Sequence, residues 1–350
     1  MKLKRRSRIR ALFLAAAGLG AARALGRALT GDLSGSVVLI TGGSRGLGLL
    51  LAEEFAGMGC RLVLCARDER ELARASERLA ARGAEVLTVA TDVARRTEVD
   101  RAVQSALARF GRVDVLVNNA SVIQVGPFEA MTDQDFQDAL AVNFWGTLHG
   151  VLAVLPSMRE RRSGRIVNIT SIGGRVAVPH LLPYDCAKFA AYGLSEGLFA
   201  ELRKDGISVT TVVPGLMRTG SPENAFFKGK KALEFAWFAA GDSQPLTAMS
   251  ARRAARRIAR AAKRREPYVT LSWQAKLLRL GHDLFPTATM YALSAAARLM
   301  PRPDGPAEAT RGLQLPAPRP LLALLYRAAG RTNEYASKAA RRLEPEPKLP

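Results

Sequence analysis

The chain has 350 residues, 48% of them hydrophobic, and its 52 lysines and arginines against 31 acidic residues leave a formal net charge of +21. That size buries a full core and fits one large α/β domain with terminal extensions better than several small domains. Three cysteines (Cys60, Cys65, Cys186) and three histidines exclude a disulfide framework and a recognisable zinc site, while the charge speaks for anionic partners (lipid, nucleic acid or acidic carriers) without deciding a fold.

Residues 1–34 read as an extension. Lys2, Lys4, Arg5, Arg6, Arg8 and Arg10 precede an apolar run from Ala11 to Ala22, the order found in a secretory signal peptide, and Ala22-Arg23-Ala24 mimics its cleavage site. A folded domain begins almost at once, however, and the run falls short of the ~20 apolar residues that a membrane span needs. We favour a helix lying on or shallowly anchored in an anionic membrane surface, on the cytoplasmic side, through residues 1–30. A true span and a soluble extension are the alternatives.

Val37-Val38-Leu39-Ile40 reads as a buried strand, and Thr41-Gly42-Gly43-Ser44-Arg45-Gly46-Leu47-Gly48 as a tight turn leading into a helix over 49–58. Lacking Cβ atoms, such a turn brings backbone N–H groups and a helix N-terminus up to a phosphate, the outline of a dinucleotide site. Its glycines are spaced more widely than Gly-x-Gly-x-x-Gly, so the turn alone also fits an ordinary βα loop. Strands at 61–65, 85–90 and 113–117 then alternate with helices at 69–81 and 98–110. This alternation predicts βαβ units and a parallel sheet covered on both faces, with ligands beyond the C-terminal strand ends.

Arg67 follows the second strand by two residues, where an NAD site carries an acidic group for the ribose hydroxyls and an arginine pairs instead with a 2′-phosphate. Together with Arg45 in the glycine turn it argues for NADP(H) over NAD(H). Asp68 is read as the cap of the helix starting at Glu69, and Asp92 as an acceptor for an adenine amino group or a helix cap. Asn118-Asn119-Ala120-Ser121 ends the fourth strand with amides that tie loops together and face the cofactor. A long helix from Asp133 to about Met158 carries Asn143 among apolar neighbours, where it either bonds backbone or water or serves the site. After a strand at 165–169 come Ser171 and then Tyr184 and Lys188, four apart on one helix face. A lysine cation lowers a nearby phenol pKa and a serine hydroxyl holds a carbonyl oxygen. Taken alone, the pair also fits a half-buried aromatic beside a solvated lysine.

In order, these motifs resemble the short-chain dehydrogenase/reductase family over about residues 35–268. They include Thr41-Gly42-x-x-x-Gly46-x-Gly48, Asp92, Asn118-Asn119-Ala120, Asn143, the thirteen-residue step from Ser171 to Tyr184, Lys188, and Pro214-Gly215 followed by Thr219. Ser121 stands where the family more often has glycine. The resemblance implies a Rossmann-like doubly wound parallel sheet of about seven strands over 35–271. It implies an NADP(H) site of Thr41, Gly42, Ser44, Arg45, Gly46, Leu47, Gly48, Arg67, Asp92, Val93, Asn119, Ala120, Tyr184, Lys188, Pro214, Gly215 and Thr219. It further implies that Ser171 positions the substrate oxygen, Tyr184 exchanges its proton, Lys188 tunes Tyr184 and holds the ribose, and Asn143 supports a proton relay. Hydride passes between nicotinamide and carbonyl carbon without a metal.

Past a strand at 208–213, residues 216–247 hold Phe226, Phe227, Phe235, Trp237 and Phe238, which we read as a helical lid over a bulky apolar carbonyl or alcohol. The arginine-rich stretch 252–265 has the periodicity of the domain's last large helix, apolar side on the sheet and basic side in water, before a strand at 268–271. The remaining residues, 272–350, read as amphipathic helices, a Pro/Gly-rich linker at 301–320, a short helix at 321–329 and a charged, disordered end. A homodimer or homotetramer is expected. A nucleic-acid partner is not, because the basic stretches lack interleaved aromatics or a reading helix. The alternative to an enzyme is a non-catalytic NADP(H)-binding scaffold or sensor at the membrane surface.

Overall fold

A computed structural model describes residues 31–243, 248–303, 305 and 308–315; the basic and apolar segment 1–30, the expected helix at 321–329 and the charged C-terminal end lie outside the described residues. Seven strands form the main sheet: β1 (Val37–Thr41), β2 (Arg61–Ala66), β3 (Val86–Ala90), β4 (Val115–Asn118), β5 (Gly164–Ile169), β6 (Ile207–Val213) and β7 (Tyr268–Thr270). Their order is β3-β2-β1-β4-β5-β6-β7, and all neighbours run parallel. The order reverses between β1 and β4, which opens a crevice at their C-terminal ends.

The larger helices are α1 (Gly46–Ala56), α2 (Glu69–Ala80), α3 (Arg96–Phe110), α4 (Asp133–Glu160), α5 (Leu182–Leu202), α6 (Lys231–Ser243), α7 (Ala251–Lys263), α8 (Trp273–Leu284) and α9 (Pro286–Ala297). Alternation along β1 assigns them to layers, since successive side chains of a strand face opposite ways. Val38 and Ile40 join Phe55 of α1, Leu79 of α2 and Ile258 of α7, whereas Val37 and Leu39 join Val103 of α3 and Val154 and Met158 of α4. Both faces are thereby covered, as βαβ crossovers require.

Several local expectations are amended by packing. Helix α1 starts at Gly46, three residues earlier than the apolar periodicity indicates, because its glycine-bearing first turn is itself part of the loop. Helix α4 widens into a π turn at Ala141–Trp145 with Asn143 at its centre. It is also the one helix among the described residues long and apolar enough to cross a membrane, yet Val151, Val154 and Met158 bury it in the core. The basic face of α7 is partly ion-paired: Arg252 meets Glu53 at 3.2 Å, Arg256 meets Glu54 at 3.4 Å and Arg257 meets Glu266 at 2.5 Å.

Within its described residues, the segment expected as a lid folds as the short strands Met217–Arg218 and Phe226–Phe227, the turn of helix Ser221–Asn224, and α6. Phe227 packs its ring 5.4 Å from Phe235 and 6.1 Å from Phe238, in a small core with Val125 and Leu181. Much of the aromatic area therefore secures the lid to the domain. Beneath it, the fully buried Glu234 accepts from Trp237 Nε1 at 2.6 Å and meets His180 Nδ1 at 2.8 Å. The expected linker at 301–320 is partly ordered, because Thr310–Arg311 pairs antiparallel with Phe226–Phe227 and satisfies that strand's free edge.

Candidate active site

At the end of β1 the chain turns on Gly42 (φ +65°) and Gly46 (φ +56°), backbone conformations that side-chain-bearing residues rarely adopt. Gly48 admits no substituent, since a Cβ there would stand 2.0 Å from the Gly42 carbonyl oxygen and 2.7 Å from Asn119 Nδ2. The loop is braced from behind. Thr41 Oγ1 accepts from the backbone N–H groups of Asn119 (3.0 Å) and Ala120 (3.1 Å), and Asn119 Nδ2 donates to the carbonyls of Thr41 (3.0 Å) and Gly42 (3.1 Å). Arg45, the N-cap residue, is extended and its side chain caps nothing, so the first N–H groups of α1 are left for another acceptor. A glycine cradle in front of an uncapped helix fits a dinucleotide's phosphates. Gly42, Arg45, Gly46 and Leu47 line the cavity here; Thr41, Ser44 and Gly48 are buried and do not line it.

The crevice continues past β2 and β3. Arg67 is exposed on its wall, and Asp68 caps α2 by accepting from Glu71 N at 3.0 Å, which holds the Asp68 carboxyl below the usual carboxylate range. Glu71 carries no mark of its role in the sequence, where it reads only as a first-turn acid. It accepts from Arg45 at 2.7 Å and from Ser44 Oγ at 3.0 Å, so the glycine-turn arginine is engaged by a carboxylate. Asp92 closes a turn of its own by accepting from Ala94 N at 3.1 Å, while Arg95 occupies the N-cap of α3. Val93 lines the cavity and packs against Gly146 of α4, where a Cβ would lie 2.7 Å from its Cγ2.

Ser171, Tyr184 and Lys188 line this cavity, as do Asn119, Ala120, Pro214, Gly215 and Thr219. Ser171 Oγ accepts from Gly173 N at 3.0 Å and lines the cavity with Tyr184. Burial raises the Tyr184 phenol pKa above its ordinary value, the Ser171 hydroxyl pulls it back, and the neighbouring carboxyls of Asp185 and Asp242 raise it further. Lys188 is buried, donates to the Ile169 carbonyl at 3.0 Å and places Nζ 5.6 Å from the centre of the Tyr184 ring. Burial pushes its ammonium down to about 7. Asn143 lies behind this lining. Its amide donates to the carbonyls of Val122 and Ala139, both at 3.0 Å, and accepts from Ser121 Oγ at 2.6 Å, so the serine that departs from the family's glycine is a partner of Asn143.

The whole cavity measures about 1310 Å³. Beyond Ser171 and Tyr184 it is bounded by Leu216, Trp237 and Phe238 of the lid and by Leu278 and Leu293 of α8 and α9. Two buried carboxyls on its wall have no signal in the sequence. Asp185, accepting from Val178 N at 2.6 Å, is pushed up to about 8, and Asp242, accepting from Met217 N at 3.1 Å, to about 7, in both cases by burial. Among the described residues no cluster of three or more His, Cys, Asp and Glu side chains is placed to hold a metal ion.

A family model described as short chain dehydrogenase matches residues 36–227. 11-beta-hydroxysteroid dehydrogenase A from Sesamum indicum is 35% identical over 251 residues, which cover 70% of this chain and 71% of that one. A short chain dehydrogenase/reductase from Burkholderia phymatum, solved in complex with NAD, superimposes with a TM-score of 0.66 and 28% identity over 73% of this chain and 96% of its own. A metagenomic short-chain oxidoreductase, solved with NADP, gives a TM-score of 0.51 and 33% identity over 55% of this chain and 88% of its own. The family match takes in more than half of the chain and runs from the glycine turn through Lys188 into the lid, so this protein belongs to the short-chain dehydrogenase/reductase family of Rossmann-fold oxidoreductases.

Proposed function

We propose that this oxidoreductase uses NADP(H) to interconvert a carbonyl and a secondary alcohol on a bulky apolar substrate, with Tyr184 as acid and base. The observation that carries the reading is that Ser171, Tyr184 and buried Lys188, whose Nζ lies 5.6 Å from the centre of the Tyr184 ring, line the same cavity as the glycine turn. Because Gly173 N–H occupies a lone pair of Ser171 Oγ, the serine proton is directed outward, where it holds a substrate oxygen. Tyr184 gives its proton to that oxygen in reduction and takes it back in oxidation. Lys188, charged, stabilises the phenolate that remains. The dinucleotide, when bound, supplies or takes up the hydride. Asn143 holds the π turn of α4 against the loop at Val122 and so keeps the site's floor in place. Trp237, Phe238, Leu278 and Leu293 support an apolar substrate.

Arg67 supports NADP(H), since it stands at the end of β2 and forms no ion pair among the described residues. A charge-assisted arginine–phosphate contact contributes about 1.5–3 kcal/mol, so NADPH is expected to bind at least about tenfold more tightly than NADH. Arg67→Ala is expected to shrink that ratio. Fluorescence titration of both cofactors checks it, and equal affinities in the unmodified protein refute the preference.

An anionic membrane surface is the location we favour, and α8 and α9 support it. Trp273, Leu277, Leu280 and Leu284 recur at helical spacing on the outer face of α8, all exposed, and α9 carries no charged residue yet buries none of its side chains within the chain. An uncharged helix whose only polar groups are the hydroxyls of Thr287, Thr289, Tyr291 and Ser294 is normally covered, and Lys276, Arg298 and Arg302 flank this surface with positive charge. Leu284→Glu combined with Tyr291→Glu is expected to lower binding to phosphatidylcholine–phosphatidylglycerol vesicles by about tenfold or more in flotation assays. Unchanged flotation rules out this surface; a changed oligomeric state with unchanged flotation makes it a contact between copies. Exposed Trp145 and Leu152 on α4 and Phe189 on α5 support the homodimer or homotetramer through a separate face.

A further inference from the structure

The C-terminal extension lies beyond the family match at 36–227, yet part of it returns to the cofactor crevice. Its strand Thr310–Arg311 is pinned along its length. It pairs with Phe226–Phe227, Thr310 Oγ1 is held by Lys231 Nζ at 2.7 Å, and Gly312 N donates to the Ala225 carbonyl at 2.9 Å. Gly312 passes so close to the lid that a Cβ would stand 2.0 Å from the Pro222 carbonyl oxygen. Leu315 packs against the lid's own apolar core. The position of Arg311 is therefore fixed by backbone pairing and close packing, not left to a free tail.

The Arg311 side chain lines the same cavity as Arg45, Arg67, Asp68 and Glu71, and donates to the neutral Asn224 Oδ1 at 2.5 Å. Those neighbours leave a cationic surplus, because three guanidinium groups face two carboxylates and both carboxylates are committed. Glu71 bonds Arg45 and Ser44, and Asp68 caps α2. Neither Arg67 nor Arg311 has an ion pair among the described residues; burial lowers the Arg311 pKa, Arg45 and Arg67 repel the guanidinium, and Glu71 and Asp68 attract it. Arg67 is exposed while Arg45 and Arg311 are half-buried, and an anion that joins such partly shielded like charges relieves their repulsion. A phosphomonoester, with up to two negative charges and three acceptor oxygens, matches guanidinium forks in charge and geometry.

We infer that Arg311 completes a phosphomonoester site with Arg45 and Arg67, so that the C-terminal strap closes over the adenosine end of the crevice and reads the 2′-phosphate of NADP(H). The inference rests on the cofactor preference proposed above and adds a residue from outside the family domain. It also gives the extension a role, as a strap that links the lid to the cofactor end of the crevice.

The test uses the full chain and its Arg311→Gln and Arg311→Lys variants, titrated calorimetrically with NADPH, NADH, adenosine 2′-monophosphate and adenosine 5′-monophosphate. Glutamine keeps a donor and most of the length but removes the charge, and melting curves verify that the lid remains folded. NADPH and adenosine 2′-monophosphate are expected to lose about tenfold or more affinity beyond any loss for NADH and adenosine 5′-monophosphate, with lysine restoring part of it. The NADPH-specific loss should also shrink at high salt. Unmodified protein that prefers NADPH, with a glutamine variant that keeps the full preference, overturns the inference and leaves the cofactor reading intact. Equal losses for all four ligands overturn it too, making Arg311 a prop of the lid. Unmodified protein without any preference refutes the cofactor reading itself.

Discussion

Replacing Tyr184 with phenylalanine is expected to lower carbonyl reduction by about 10³-fold, within the 10²–10⁴ range that a positioned proton donor contributes, while NADPH affinity changes by no more than about twofold. The ring is half-buried on the cavity wall and keeps its packing in the variant. What is lost is the hydroxyl that carries the transferable proton. Ser171 and Lys188 stay in place, so residual turnover measures what positioning achieves without an acid. Single-turnover oxidation of NADPH with a bulky cyclic ketone, followed by the loss of the reduced nicotinamide's absorbance, checks the effect. Unchanged turnover in the phenylalanine variant removes Tyr184 from the proton-transfer role.

Carbonyl reduction should be steady below about pH 7 and fall above it, and Lys188 supplies the reason. Burial lowers its ammonium to about 7, so the group is charged below that value and neutral above it. Tyr184, raised by burial, keeps its proton across the same range. As pH rises, the acid therefore stays loaded but loses the cation that stabilises its phenolate. Folding stability responds with the opposite slope, because between about 7 and 10.5 the unfolded lysine holds a proton that the folded one lacks. Lys188→Arg keeps a positive charge throughout, and the fall near pH 7 should vanish from whatever reduction that variant retains. A rate profile in which the arginine variant falls like the unmodified enzyme defeats the assignment.

Features that depend on neighbours in the chain are legible in the sequence. The β-branched runs form strands, Asp68 is the cap of α2, and the step of four from Tyr184 to Lys188 places both on the lining of the same cavity. These follow from local dihedral preference, side-chain period and capping, which a single segment carries. Even here glycine misleads at a boundary: read as a breaker, it delays α1 to residue 49, whereas the helix starts at Gly46 and takes in Gly48.

Contacts between distant segments set the rest. Glu71 holds Arg45 from 26 positions away, Ser121 meets Asn143 across 22, and Arg311 reaches Asn224 across 87. No periodicity marks such pairs, because each depends on loops closing so that two independently folded pieces meet. The π turn around Asn143 belongs with them. The side-chain amide of Asn143 is held from outside the helix by the Val122 carbonyl and Ser121, and donates to the Ala139 carbonyl of the preceding turn. Composition likewise puts five aromatics over the substrate, and packing commits Phe227 and Phe235 to anchoring the lid. The sequence by itself determined the sheet, the glycine turn and the order of Ser171, Tyr184 and Lys188, since these are written in local conformation. Only the tertiary structure decided which charges face one another across the crevice, since that depends on where the lid and the C-terminal strap come to rest.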